Sequence, residues 1–123
     1  MVLVVDDDSA TREALEELID DEGYGVATAA TAEEALGRLQ CGLRPVVVVA
    51  DHGLARMTGS ELLRACRRDP SLRRIGRILT SAFSPDLVDQ TDLAGIVFIP
   101  KPFSIDVLLL AIARMLPDAR AYG

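Results

Sequence analysis

The sequence predicts an α/β fold with an open, parallel, five-stranded sheet and helices on both faces. Five short apolar runs rich in β-branched residues alternate with segments of helical periodicity along the 123 residues. The run 46–49 is four consecutive valines rather than an alternating pattern, which is typical of a central parallel strand covered on both faces. The predicted strands are residues 2–5, 25–29, 46–50, 75–80 and 96–99.

The first predicted helix covers residues 9–22, directly after the first strand. Asp8 and Ser9 are its candidate caps, because their side-chain oxygens can accept a hydrogen bond from the first helical turn. Apolar residues at helical spacing are predicted to share one buried face. They are Ala14, Leu15, Leu18 and Ile19.

Two capping boxes and two serine caps predict where the other four helices begin. In chain order the signals are Thr31 with Glu34, Thr58 with Glu61, Ser84 followed by Pro85, and Ser104. The helix after Thr31 is expected to end near Gly42, and the last helix before Pro117. The last helix carries an apolar stripe of Val107, Leu108, Ala111, Ile112 and Met115.

Composition excludes several classes of protein. Half of the residues are apolar and only 4% are aromatic, so we expect an aliphatic core rather than a disordered chain. Cys41 and Cys66 have neither zinc-site nor CxxC spacing, which indicates free thiols in a reducing compartment. No signal-peptide pattern or membrane-length apolar run is visible, and we expect a soluble, cytoplasmic chain without membrane insertion.

Charge is segregated along the chain. Residues 1–35 contain 11 acidic groups and one basic group, whereas residues 36–80 contain three acidic and nine basic groups. The net charge of −6 and the lack of aromatic residues among the arginines argue against direct nucleic-acid binding. Lys101 is the only lysine, and it lies between Pro100 and Pro102, so a specific role is expected for it.

Polar residues follow four of the predicted strands at the sheet edge where sites in such folds lie. Crowded carboxylates there require protons or a cation, and Mg²⁺ prefers oxygen ligands. A metal with an ammonium and a hydroxyl nearby is suited to a phosphoryl group, which a carboxylate could attack at phosphorus. Asp51 is the best nucleophile candidate, because it stands alone after the most buried strand. The residues are Asp6, Asp7, Asp8, Asp51, Thr80, Ser81 and Lys101.

His52, the only histidine, directly follows Asp51. It could be a phosphohistidine or a metal ligand, but it has no partner at helical HxxE spacing. We therefore expect an exposed loop histidine.

Four motifs follow one another along the chain: Val4-Val5-Asp6-Asp7, Asp51-xx-Leu54-xx-Met57-x-Gly59, Leu79-Thr80-Ser81 and Lys101-Pro102-Phe103. In this order and spacing they resemble the receiver domain of two-component response regulators, along essentially the whole chain. The resemblance implies a flavodoxin-like (βα)₅ fold with strand order 2-1-3-4-5. We expect residues 1–118 to form the domain and residues 119–123 to be a tail too short for an output domain.

The resemblance also implies a role for each position. Asp51 would accept the phosphoryl group, and Thr80 and Lys101 would bind its oxygens. The Lys101–Pro102 bond would be cis. Phe98 falls where the family has a rotating switch aromatic, although it could instead be a core residue. The implied Mg²⁺ ligands are Asp6, Asp7, Asp51 and the carbonyl of Gly53.

Some positions depart from the family pattern. Ala55 replaces the usual proline, which should loosen the loop after Asp51. Gly53 and Ala82 lack the polar groups that commonly tune acyl-phosphate hydrolysis, so the lifetime of the phosphorylated state is left open. Phe98 lacks the hydroxyl that a tyrosine would offer.

The implied function is a switch that takes a phosphoryl group from a sensor histidine kinase or a histidine phosphotransfer protein. The charge of the phosphoryl group would change the packing of a face formed by the fourth helix, the fifth strand and the fifth helix. The downstream target stays unknown.

The residues leave two alternative functions open. One is a receiver-like interaction module that is never phosphorylated. The other is a haloacid dehalogenase-like phosphatase with Asp6 as nucleophile, although Ala10 stands where those enzymes have Thr or Val.

Overall fold

The computed structural model describes residues 1–82 and 95–116. The five strands are β1 Val2–Val5, β2 Val26–Ala29, β3 Val47–Asp51, β4 Gly76–Ser81 and β5 Val97–Pro100. The helices within the described residues are α1 Ser9–Asp21, α2 Ala32–Gln40, α3 Gly59–Arg68 and α4 Ile105–Arg114. The predicted helix after Ser84 and the predicted domain boundary at residue 118 lie outside the described residues.

The five strands form one parallel sheet in the order β2-β1-β3-β4-β5, which confirms the predicted topology. β3 lies at the centre, and its valines 47–49 are buried, as the unbroken apolar run predicted, whereas Val46 precedes the strand and is exposed. β3 ends at Asp51, which pairs with Thr80 of β4. Each predicted strand boundary differs from the observed one by at most one residue.

The sheet separates two apolar layers. On one face, Leu3, Val48 and Leu79 pack with residues of α2 and α3. On the other face, Val4 and Ile78 pack with residues of α1 and α4. Helices on both faces of a parallel sheet leave its strand ends free, and these free ends position the site.

All four described helices begin where an expected side chain caps them. Asp8 rather than Ser9 caps α1, and Ser104 caps α4. Thr58 and Glu61 form a complete capping box at α3. Thr31 caps α2 by accepting from the Glu34 amide, but the predicted capping box is not complete there, because the Glu34 carboxylate accepts from the amide of residue 30.

The predicted apolar face of α1 is wider than the buried one. Leu15 and Ile19 are buried, whereas Ala14 and Leu18 are exposed. Two residues four apart lie above one another on a helix, and their preceding neighbours point about 100° away. α4 repeats this arrangement, because Leu108 and Ile112 are buried and Val107 is half exposed.

None of the helices in the described part of the chain is long and apolar enough to cross a bilayer.

Candidate functional site

Three carboxylates from two strand ends meet at one edge of the sheet. Asp6 and Asp7 follow β1, and Asp51 ends β3, which pairs with β1 in the sheet. One carboxylate oxygen from each residue lies within 4.8 Å of those of the other two. Asp6 is buried and Asp7 exposed, so the cluster opens to solvent on one side. Such a set of hard oxygen donors fits Mg²⁺, which takes one or two carboxylates and keeps several waters.

Lys101 places its ammonium between two of these carboxylates. Its Nζ lies 3.3 Å from Asp51 Oδ2 and 3.5 Å from Asp6 Oδ2. The backbone holds the lysine in place, because its amide donates to the carbonyl oxygen of Ser81 at 2.7 Å. The Lys101–Pro102 peptide bond is cis, as the resemblance implied. The single lysine therefore partly neutralises the acidic cluster.

Asp6 is the most buried member of the cluster. Its Oδ1 accepts a hydrogen bond from the Asp8 amide at 2.9 Å. Burial raises the pKa of Asp6, and the charge of Asp51 adds to this, while the Asp8 amide and Lys101 oppose it. Arg12 supports the same residue through the backbone, since its Nη1 donates to the Asp6 carbonyl oxygen at 2.8 Å.

Asp8 has a different task from the two aspartates before it. Its carboxylate caps α1 by accepting hydrogen bonds from the Thr11 amide and hydroxyl. These bonds lower the pKa of Asp8. The run of three aspartates thus divides into one helix cap and two members of the carboxylate cluster.

Thr80 lies beside Asp51 on the neighbouring strand and is buried. Its carbonyl oxygen accepts a hydrogen bond from the His52 amide at 2.8 Å, which continues the β3–β4 ladder past Asp51. Ser81, the next residue, is also buried. The hydroxyl-bearing end of β4 therefore lies next to the acidic cluster, as parallel pairing predicts.

The segment after Asp51 turns back on the carboxylate. The amide of Gly53 donates to Asp51 Oδ1 at 3.3 Å. Gly53 itself is exposed. A cavity of about 350 Å³ lies nearby, lined by Thr11, Ala82, Lys101, Pro102 and Phe103. The site thus has room on the side of the lysine.

Phe98 lies on β5 opposite Leu79, one residue before Thr80 in the register. It is partly buried and packs against the apolar layer formed with α2 and α3. This placement fits either a core residue or an aromatic side chain that changes position.

The expectation for His52 was wrong. The residue is half-buried, and its Nδ1 lies 2.5 Å from the hydroxyl oxygen of Ser60 in α3. Sequence reasoning also missed Ser60 and the contact of Arg12 with Asp6. Arg12 had one signal, as the lone basic residue among the first 35, whereas nothing in the sequence links residues 52 and 60.

Comparisons with known proteins show the family to which the chain belongs. The family model described as response regulator receiver domain matches residues 2–113. The chain belongs to this family and is a receiver domain of two-component signalling. The family excludes the phosphatase alternative.

Three relatives show how far the similarity extends. Response regulator MprA of Mycolicibacterium vanbaalenii is 34% identical over 116 residues, which cover 94% of this chain and 49% of that protein. The chain thus spans about half the length of this curated relative. Sporulation initiation phosphotransferase F of Bacillus subtilis is 31% identical over 118 residues, which cover 94% of this chain and 93% of that protein.

The third relative is a solved structure. Response regulator TrrA of Thermotoga maritima, in complex with Mg(2+)-BeF, is 30% identical with a TM-score of 0.82. The match covers 93% of this chain and 96% of that one.

Proposed function

We propose that Asp51 accepts a phosphoryl group from a phosphohistidine of a sensor histidine kinase or a histidine phosphotransfer protein. An oxygen of the Asp51 carboxylate attacks phosphorus and forms a P–O bond. The P–N bond to the donor imidazole breaks, and its electron pair stays on the imidazole nitrogen. The observation that carries the proposal is the convergence of Asp51 with Asp6, Asp7 and Lys101.

The carboxylate cluster fits Mg²⁺, whose ligands would be Asp6, Asp7, Asp51 and the Gly53 carbonyl. A bound divalent cation would neutralise charge on the phosphoryl oxygens during transfer. The similarity to TrrA, solved in complex with Mg(2+)-BeF, supports this cofactor. The contact with Asp6 would also keep the Lys101 ammonium beside the acceptor carboxylate of Asp51.

Thr80 and Lys101 bind the phosphoryl oxygens in this proposal. The Lys101 ammonium already contacts Asp51, so it needs only a small movement to reach the new group. Thr80 is the register partner of Asp51 and turns its hydroxyl to a phosphoryl oxygen. Phe98, one residue away on β5, follows Thr80 and transmits the change to the face of the predicted fourth helix, β5 and α4.

Chemistry at Asp51 is limited to its own phosphorylation and dephosphorylation, so the domain is not an enzyme in the usual sense. We also propose a cytoplasmic location. Cys41 and Cys66 are both free thiols, which suits a reducing compartment.

The test is the intact mass of the protein after incubation with acetyl phosphate, with Mg²⁺ or with EDTA. One phosphoryl group is expected on the wild type only with Mg²⁺, and none on Asp51→Asn. Asp20→Asn, a change at an exposed residue of α1, is the matched control and should be phosphorylated like the wild type. A wild type that binds no Mg²⁺ and gains no mass would instead indicate the unphosphorylated interaction module.

A further inference from the structure

The peptide group that joins Asp51 to His52 is held from two directions by backbone. From the sheet side, the His52 amide donates to the Thr80 carbonyl oxygen at 2.8 Å. From the helix side, the first residue of α3 is Gly59, and a Cβ there would overlap the Asp51 carbonyl group, 2.7 Å from its carbon. The start of α3 therefore lies directly on the backbone of the phosphoacceptor.

A side-chain contact adds a third attachment. The Nδ1 of His52 and the hydroxyl oxygen of Ser60 are 2.5 Å apart, and Ser60 is 1% exposed. A hydrogen bond shielded from water is worth more than an exposed one, because removal of one partner leaves the other unsatisfied. His52 and Ser60 thus connect the residue after Asp51 to the second residue of α3.

We propose that His52 is a positioning residue for phosphotransfer, which acts through Ser60 to hold the Asp51 carboxylate against its contacts. The proposal rests on the proposed function of Asp51. The contacts concerned are the Gly53 amide at 3.3 Å from Asp51 Oδ1 and the Lys101 ammonium at 3.3 Å from Asp51 Oδ2. These two groups lie on different oxygens, so rotation of the carboxylate weakens both.

Phosphotransfer is sensitive to such a change. The attacking oxygen must lie in line with the bond that breaks, and a misplacement of about 1 Å can reduce a rate about 100-fold. Loss of the contact between His52 and Ser60 frees one of three attachments, so we expect a smaller loss, of about tenfold.

The experiment uses five variants and the wild type. His52→Leu and Ser60→Ala each remove one partner, and the double variant removes both. His52→Asn restores a polar atom at the same number of bonds from the backbone as Nδ1. Thr58→Ala is the matched control: it removes the cap of α3 and leaves both partners in place.

Two quantities are measured for each variant. The first is the rate constant for phosphorylation by acetyl phosphate with Mg²⁺, from intact mass over time. The second is the hydrogen-exchange rate of the Gly53 amide by NMR, without donor or Mg²⁺. We expect His52→Leu and Ser60→Ala to react about tenfold more slowly, with no further loss in the double variant. Gly53 exchange should accelerate in the same variants.

The controls separate positioning from stability. His52→Asn and Thr58→Ala should react within about threefold of the wild type, although Thr58→Ala unfolds at a lower urea concentration because α3 loses its cap. Wild-type rates in His52→Leu and Ser60→Ala, additive losses in the double variant, or an equal loss in Thr58→Ala would overturn the proposal. If the wild type takes no phosphoryl group, the proposed function has failed. The hydrogen-exchange rate of the Gly53 amide then tests the positioning role by itself. An unchanged rate in His52→Leu overturns that role.

Discussion

The ammonium of Lys101 contacts the Asp51 carboxylate at 3.3 Å and also reaches Asp6 at 3.5 Å. The lysine therefore occupies the space between the proposed acceptor and a proposed metal ligand. Its charge stabilises two neighbouring carboxylates, and the same charge repels a cation that binds there.

Replacement of Lys101 by Met should consequently raise the affinity for Mg²⁺ by about fivefold, because the repulsion disappears. Calorimetric titration with MgCl₂ measures this, and Lys101→Arg, which keeps the charge, should bind Mg²⁺ like the wild type. Unchanged or weaker Mg²⁺ binding by Lys101→Met would show that the ammonium does not oppose the metal.

Gly59 is required by the approach of α3 to the Asp51 backbone. A Cβ at residue 59 would lie 2.7 Å from the Asp51 carbonyl carbon and 3.0 Å from the His52 nitrogen. Gly59→Ala should lower the free energy of unfolding by about 3 kcal/mol in urea titrations. Gly37→Ala in α2 is the control, since a Cβ there meets nothing within 4 Å. It should raise stability by about 0.5–1 kcal/mol. Equal effects of the two changes would contradict this account.

Arg56 has a positive φ of 62°, a backbone conformation that residues with a Cβ rarely adopt. Arg56→Gly should therefore raise the free energy of unfolding by about 0.5–1 kcal/mol. Ala55→Gly, one residue earlier, relieves no such strain and should lower the free energy of unfolding. Thermal or urea unfolding of both variants decides, and a loss of stability in Arg56→Gly would refute the strain.

Asp6 and Asp8 should give opposite pH dependences of stability in EDTA. Burial raises the pKa of Asp6 above its ordinary value of 3.8. The contribution of this carboxyl group to the free energy of unfolding is therefore complete below pH 3.8 and is lost as pH rises through the folded-state pKa. Asp6→Asn should therefore be more stable than the wild type at pH 7, with the difference shrinking toward pH 3.8.

The pKa of Asp8 is lowered by hydrogen bonds from Thr11, so its contribution is present above pH 3.8 and is lost as pH falls through the folded-state pKa. Asp8→Asn should be less stable than the wild type at pH 7. Urea titrations at several pH values measure both differences. If both variants change the free energy of unfolding at pH 7 in the same direction, burial at Asp6 and hydrogen bonding at Asp8 do not have the opposite effects described here.

Much of the fold and the grouping of the site could be predicted from the sequence. Parallel strands have their carboxyl ends at one edge, so Asp51, Thr80 and Lys101 had to approach one another once the strands were recognised. The local pattern could not tell which aspartate of the run would cap α1. That depends on the angle at which the chain leaves β1, and the structure assigns the cap to Asp8.

Other features depend on packing that no local pattern encodes. α1 buries only Leu15 and Ile19, because a helix on a sheet buries a stripe narrower than its apolar side. His52 meets Ser60 only because α3 begins against the β3 end, a tertiary arrangement with no signature at that spacing. Long-range contacts of this kind were the part that sequence reasoning missed.

The measurement that tests the central claim most directly locates the phosphoryl group. Protein treated with acetyl phosphate and Mg²⁺ is reduced with borohydride, which converts an aspartyl phosphate to homoserine, and its peptides are sequenced by mass spectrometry. We predict homoserine at position 51 alone, dependent on Mg²⁺. Homoserine at position 6 or 7, or at no position, would contradict the assignment of Asp51 as the phosphoacceptor.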